Sequence, residues 1–100
     1  MIIEHAEMLV SAGREEEFEA AFARGRRILA QAPGYRWSRL TRQVENPESY
    51  LLLVGWDTLE DHTEGFRNSE LFSQWRATVG EFFVSPPTVT HYTGQLDPVD

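Results

Sequence analysis

Seven consecutive residues restrict this chain more than any others. Tyr50-Leu51-Leu52-Leu53-Val54-Gly55-Trp56 carries the strongest strand signal in the sequence, an apolar run bounded by turn residues. A strand in a sheet with helices on one face alternates apolar-in and polar-out. This one does not. Successive side chains point to opposite faces, so Leu51 and Leu53 face one way and Leu52, Val54 and Trp56 the other. Both sides need cover. At about 25 cal/mol per Å2, burial of two leucines alone is worth roughly 3–5 kcal/mol.

The remaining elements cover one side only. Ile2 to Ser11 is predicted as a strand, with Ala6, Met8 and Val10 on one face and Ile3, His5, Glu7 and Leu9 on the other. Arg14 to Gln31 is predicted as a helix. Glu15, Glu16 and Glu17 suit its positive N-terminal dipole, and Phe18, Ala21, Phe22, Ile28 and Leu29 form its apolar stripe. Pro33-Gly34 ends it. Tyr35 to Glu45 is a second predicted strand, joined by Asn46-Pro47-Glu48-Ser49 to the apolar one as an antiparallel hairpin. Asp57-Thr58-Leu59-Glu60 has capping-box spacing and opens a short helix to about Phe66. A further helix carries Leu71, Phe72, Trp75 and Val79. Thr88 to Gln95 is the last strand, and residues 96–100 are a polar tail.

The order βαββαβ predicts one α+β domain of ferredoxin-like type over residues 1–100: a four-stranded antiparallel sheet with helices on one face. No segment is left for the second face. A second copy stacking sheet to sheet covers it, which predicts a homodimer.

Composition narrows the function. The chain lacks cysteine, which excludes disulfides, thiolate metal sites and thiol nucleophiles. It carries 9 basic and 16 acidic residues, a net charge of −7, a poor balance for binding nucleic acid. No apolar run approaches the roughly 18 residues of a membrane span, and residues 1–5 lack the basic start and apolar stretch of a signal peptide. The expectation is a soluble, cytoplasmic domain with neither nucleic acid nor membrane as partner.

Several segments in order resemble one family. They are Ala12-Gly13-Arg14-Glu15-Glu16-Glu17-Phe18, Ala32-Pro33-Gly34, Asn46-Pro47 ahead of Tyr50-Leu51-Leu52, Trp56-Asp57-Thr58-Leu59-Glu60-Asp61-His62, Phe66-Arg67-Asn68-Ser69, and Pro86-Pro87 before His91-Tyr92. Over about nine-tenths of its length the chain is similar to the antibiotic biosynthesis monooxygenases of the dimeric α+β barrel superfamily. The resemblance implies a dimer with facing sheets and a cavity between sheet and helices in each protomer. It also implies three activities to weigh: oxygenation of phenolic or anthrone-type polyketides without a cofactor, quinol oxidation, and haem degradation. The positions matching the haem-degrading members hold Ala6, Phe66 and Arg76, without an axial histidine, so haem degradation is not expected. Against the anthrone oxygenases, Trp56 and Arg76 match, while His62, Leu52 and Arg42 stand where those members carry Tyr, Asn and His.

With Trp56 and Arg76 matching, the resemblance implies a cofactor-independent monooxygenase acting on a small aromatic phenol or quinol with O2. His62 is the candidate base, an imidazole being half-protonated near neutral pH. Arg76 is the candidate stabiliser of the developing oxyanion, and Trp56 the aromatic wall, with Trp75 a further stacking surface. Each has a plain structural reading beside it: Trp56 and Trp75 as core, His62 on a solvated helix face, and Arg76 paired with an acid such as Glu81. His5 and His91 are expected on adjacent central strands as a hydrogen-bonded pair rather than a metal site, since no third ligand is spaced to join them. The competing functions are a non-catalytic ligand-binding or stress-associated dimer and an isomerase or cyclase.

Overall fold

The computed structural model describes residues 1–96. Its elements are β1 (Ile2–Leu9), α1 (Glu15–Leu29), β2 (Tyr35–Arg42), β3 (Ser49–Trp56), a π-helical turn (Asp61–Phe66), α2 (Glu70–Val79), a 3-10 turn (Gly80–Phe82) and β4 (Thr88–Thr93). The sheet runs β2-β3-β1-β4, every neighbouring pair antiparallel. This is the ferredoxin-like βαββαβ order. Of the predicted tail, residue 96 is exposed and the rest lies outside the described residues. No helix among the described residues is long and apolar enough to cross a membrane.

The two faces of β3 separate as its sequence requires. Leu52, Val54 and Trp56 are 1%, 0% and 0% exposed and join Ala6, Met8 and Val10 in the core. Phe18, Ala21, Phe22 and Leu29 of α1 and Val79 of α2 close that core from above. Leu51 and Leu53 stay half-buried on the outer face beside Ile3, Leu9 and Trp37, with Tyr92 57% exposed near the edge. Gly55 is glycine because the Trp37 ring lies where a Cβ would stand.

Three local expectations are corrected. The capping box shifts by one residue. The Asp61 N–H donates to Thr58 Oγ1 at 3.1 Å and the Thr58 N–H to Asp61 Oδ2 at 3.2 Å. The Asp61 carboxylate fills the space beside Gly34, a residue held at φ +85, and so fixes where the turn begins. Second, β4 is an edge strand and not a central one. Third, His5 and His91 lie on opposite faces. The register sets Glu4 opposite His91 and His5 opposite Thr90. His91 points under the helices, while His5 meets the Tyr92 ring on the outer face, centroids 5.5 Å apart. Strand periodicity fixes which residues alternate but not the register between strands.

α1 and α2 approach closely at Gly25. A Cβ there would stand 3.1 Å from Val79 Cγ1 and 3.5 Å from the Trp75 ring. Gly25→Ala should be close to neutral, because a helix-propensity gain of about 1 kcal/mol offsets a small displacement of Val79. Gly25→Leu should cost about 2 kcal/mol or more by overpacking. Urea denaturation of the two variants measures the difference.

Candidate active site

The turn between β3 and α2 builds one wall of the site. Its Arg67 N–H donates to the His62 carbonyl at 3.1 Å, an i to i+5 bond. A π turn holds more residues than an α turn, so positions 62, 66 and 67 come onto one side. His62, Phe66 and Arg67 all line the same cavity. His62 is buried, 2% exposed, and its ring stacks on Trp56 with centroids 5.2 Å apart and planes 19° from parallel.

Beneath it lies an acid. Glu4 of β1 shares the inner face with Ala6 and Met8 and is 7% exposed. Burying a carboxylate among apolar groups is costly unless partners compensate. Glu4 Oε1 accepts a hydrogen bond from Trp56 Nε1 at 3.0 Å and lies 3.2 Å from His62 Nε2. His62 Nδ1 is 2.8 Å from His91 Nε2. The four side chains thus form one connected line, Trp56–Glu4–His62–His91. Among the described residues no three His, Asp or Glu side chains gather as a metal-holding group.

The proton inventory follows from burial. Desolvation pushes the Glu4 carboxyl up to about 7, against the Trp56 hydrogen bond and the positive charge of Arg67, which pull it down. Desolvation, then Arg67, then His91 hold His62 well below the ordinary imidazole value. His91 is lowered by burial and by Arg67. Both members of the Glu4–His62 couple therefore favour their neutral forms. When Glu4 carries the proton it can donate to His62 Nε2, and His62 Nδ1–H then donates to His91. When Glu4 is ionised the His62 proton sits on Nε2 and the bond to His91 reverses. One proton more or less on Glu4 switches the tautomer of His62.

The couple forms the floor of a cavity of about 510 Å3 under the helices, within the size range of small-molecule sites. Its walls include Ala6, Leu52, Phe66, Phe72, Trp75 and Phe83, and the exposed Arg67 and Arg76 stand at its rim. A second concavity of about 560 Å3 lies on the outer sheet face, lined by residues such as His5, Thr41, Arg42 and Leu51. It holds no buried acid–base couple.

His62 and Arg76 thus both reach the cavity. The expectation of an unperturbed imidazole is corrected, because His62 is desolvated and the carboxyl titrating near neutrality is Glu4. Trp56 is also relocated: fully buried, it backs His62 and donates to Glu4, and Phe72 and Trp75 supply the aromatic walls. Arg76 does not pair with Glu81, which bonds Arg14 at 3.3 Å. The Arg76 guanidinium carbon lies 5.8 Å from the Phe72 ring centroid. Glu4 and Arg67 line the cavity without having been singled out in the sequence, and His91 partners His62 rather than His5. Glu4 left a visible signal, an acid in register with the apolar face of its strand. Arg67 left none, because its placement depends on the π winding.

The Glu4 shift has a consequence for stability. Its pKa is higher folded than unfolded, so its contribution is full below the unfolded value of 4.5 and is lost as pH rises through about 7. His62 contributes oppositely, losing stability as pH falls below 6.5. Glu4→Gln removes the first dependence alone. Relative to the wild type, this variant should gain on the order of 2 kcal/mol between pH 5 and pH 8, read from urea denaturation at both pH values.

Known proteins agree with this architecture. The sequence model for antibiotic biosynthesis monooxygenase matches residues 1–78. An uncharacterised protein of Bacillus subtilis, YczJ, is 42% identical over 92 residues, 92% of this chain and 97% of that protein. A crystal structure from Bordetella bronchiseptica, provisionally named an antibiotic biosynthesis monooxygenase, is 42% identical with a TM-score of 0.91, over 95% of this chain and 97% of that one. SnoaB, a cofactor-independent oxygenase from Streptomyces nogalater, shares the fold at a TM-score of 0.80 and 19% identity, over 96% and 94% of the two chains. The chain belongs to the antibiotic biosynthesis monooxygenase family.

Proposed function

We propose that this protein is a monooxygenase that uses no cofactor and oxidises a small aromatic phenol or quinol with O2. The observation that carries the reading is the Glu4–His62 couple at the floor of an aromatic-lined cavity. Family membership supports the same class of chemistry.

Oxygenation of this kind needs an electron-rich anion. A quinol ring stacks against Phe72 and Trp75, with one hydroxyl toward the couple. The hydroxyl proton passes to the couple, Glu4 being poised near neutrality. Arg67 and Arg76 make the rim positive and favour the phenolate. The phenolate gives one electron to O2, and the radical pair joins at a ring carbon to form a hydroperoxide. The proton held by the couple returns to the peroxide, the O–O bond breaks as the ring carbon loses its own proton, and a carbonyl and water result. The balance is one quinol and one O2 to one hydroxyquinone and one water. The apolar walls keep bulk water from the anion.

The outer sheet face supports self-association in the same reading. Ile3, Leu51, Leu53 and Trp37 are half-buried in the single chain and Tyr92 is exposed. A second copy laid on this face removes that patch from water and holds β3 and β1 rigid beneath the cavity.

Oxygen-electrode assays with a panel of hydroquinones and anthrones test the activity. At least one should be consumed one-to-one with O2, and its product should gain one oxygen and lose two hydrogens by mass. His62→Ala should lower kcat/KM about a hundredfold or more. In the wild type kcat/KM should rise with pH through about 7 as Glu4 loses its proton, a limb that Glu4→Gln removes. A product isomeric with its substrate would replace oxygenation with isomerase chemistry. For the assembly, analytical ultracentrifugation at micromolar concentration should find two-chain particles, and Leu53→Arg should shift them to single chains.

A further inference from the structure

The rim of the cavity carries two arginines that form no ion pair among the described residues. All nine basic residues are arginines. Arg14, Arg36 and Arg42 each lie within 4.0 Å of a carboxylate. The other six have no such partner among the described residues, Arg67 and Arg76 among them. These last two are the cations that line the aromatic cavity. Their guanidinium carbons lie 6.0 and 5.8 Å from the centroid of one ring, Phe72, so both charges border the same side chain of the cavity wall. They come from different elements, one closing the π turn and the other on α2. In a chain of net charge −7, the site is a local positive patch over an apolar chamber.

The couple on the floor and the arginines on the rim make different demands of a ligand. The floor exchanges a proton with a hydroxyl. The exposed rim offers planar, permanently charged donors that match a carboxylate in two-point geometry. A neutral phenol would satisfy the walls and floor and leave both guanidinium groups unmatched. We infer that the ligand is an aromatic acid, its hydroxylated ring in the cavity and its carboxylate held at the rim by Arg67 and Arg76. The hydroxyl orientation rests on the proposed oxygenase reading; the carboxylate site rests on the arginines alone.

Anchoring an acid at the rim also fixes which end of the ring enters first. The carboxylate stays with the exposed cations, and the opposite edge is delivered to Glu4 and His62. The walls alone give no such polarity, since an aromatic surface accepts either end. Arg67 and Arg76 are in this sense specificity residues, acting on the part of the ligand that does not react.

Binding measured under nitrogen separates this inference from the activity. The probes are 2,5-dihydroxybenzoate, its methyl ester and hydroquinone, titrated calorimetrically at low salt. The ester keeps the size and the hydroxyls and removes the charge. The acid should bind at least tenfold tighter than either neutral probe, and salt should erode that preference. Arg67→Gln and Arg76→Gln should each narrow it, and the double variant should abolish it. Neither side chain is buried or ion-paired, so the variants should melt with the wild type. Equal affinity for acid and ester overturns the inference, as does a preference that survives in the double variant. An acid preference without oxygen uptake leaves the ligand class standing and removes the oxygenase reading. Oxygen uptake with equal affinities does the reverse.

Discussion

A carboxylate on the apolar side of a sheet sets the terms for the rest of this site. Glu4 occupies the inner face of the central strand β1, where an uncompensated charge would cost several kcal/mol. The chain answers with one strong donor, Trp56 Nε1, and one switchable neighbour, His62. Trp56 is bulky enough to exclude water and polar enough to hold the acid in one orientation. The result is an acid whose proton affinity lies near neutral pH. A second anion or a permanent cation in the place of His62 would have moved it far to one side.

Arg67 joins His62 at the cavity because the turn after β3 is wound as a π helix. The bond from the Arg67 N–H to the His62 carbonyl brings Arg67 to the same cavity as His62 and Phe66. In an α turn, five residues of separation rotate a side chain away from the first, and Arg67 would leave the site. The start of this segment is pinned by the Thr58–Asp61 box and by Asp61 lying against Gly34. A glycine in the loop after α1 thus helps place the imidazole in the turn after β3, through contacts that are consecutive in space and distant in sequence.

The sequence was informative where periodicity governs and silent where register and winding do. Element order, the hairpin and the division of β3 into two faces follow from patterns of two and of 3.6. His62 and Arg76 could be singled out by residue type and by family resemblance. Alternation within β4 does not fix its register against β1, which sets His91 opposite Glu4 rather than beside His5. Pairing Glu4 with His91 is a long-range choice, and it decides that the imidazole at the sheet edge meets His62. For Trp56, strand position and aromatic character identify its burial but not the partner of its N–H. Glu4 itself was legible: an acid in phase with Ala6 and Met8 is either an error of register or a group kept for its chemistry.

β3 links the two halves of the functional reading. Its inner row, Leu52, Val54 and Trp56, is fully committed to the core and to the support of Glu4. Its outer row cannot be made polar without consequence, since Leu51 and Leu53 lie opposite Glu7 and His5 of β1, the strand that carries the acid. Covering that outer row removes water from the far side of the layer on which Glu4 stands. It lowers the polarity around the carboxyl and opposes fraying of the β1–β3 ladder. On the proposed reading, self-association through this face would act on the site through the proton affinity and positioning of Glu4.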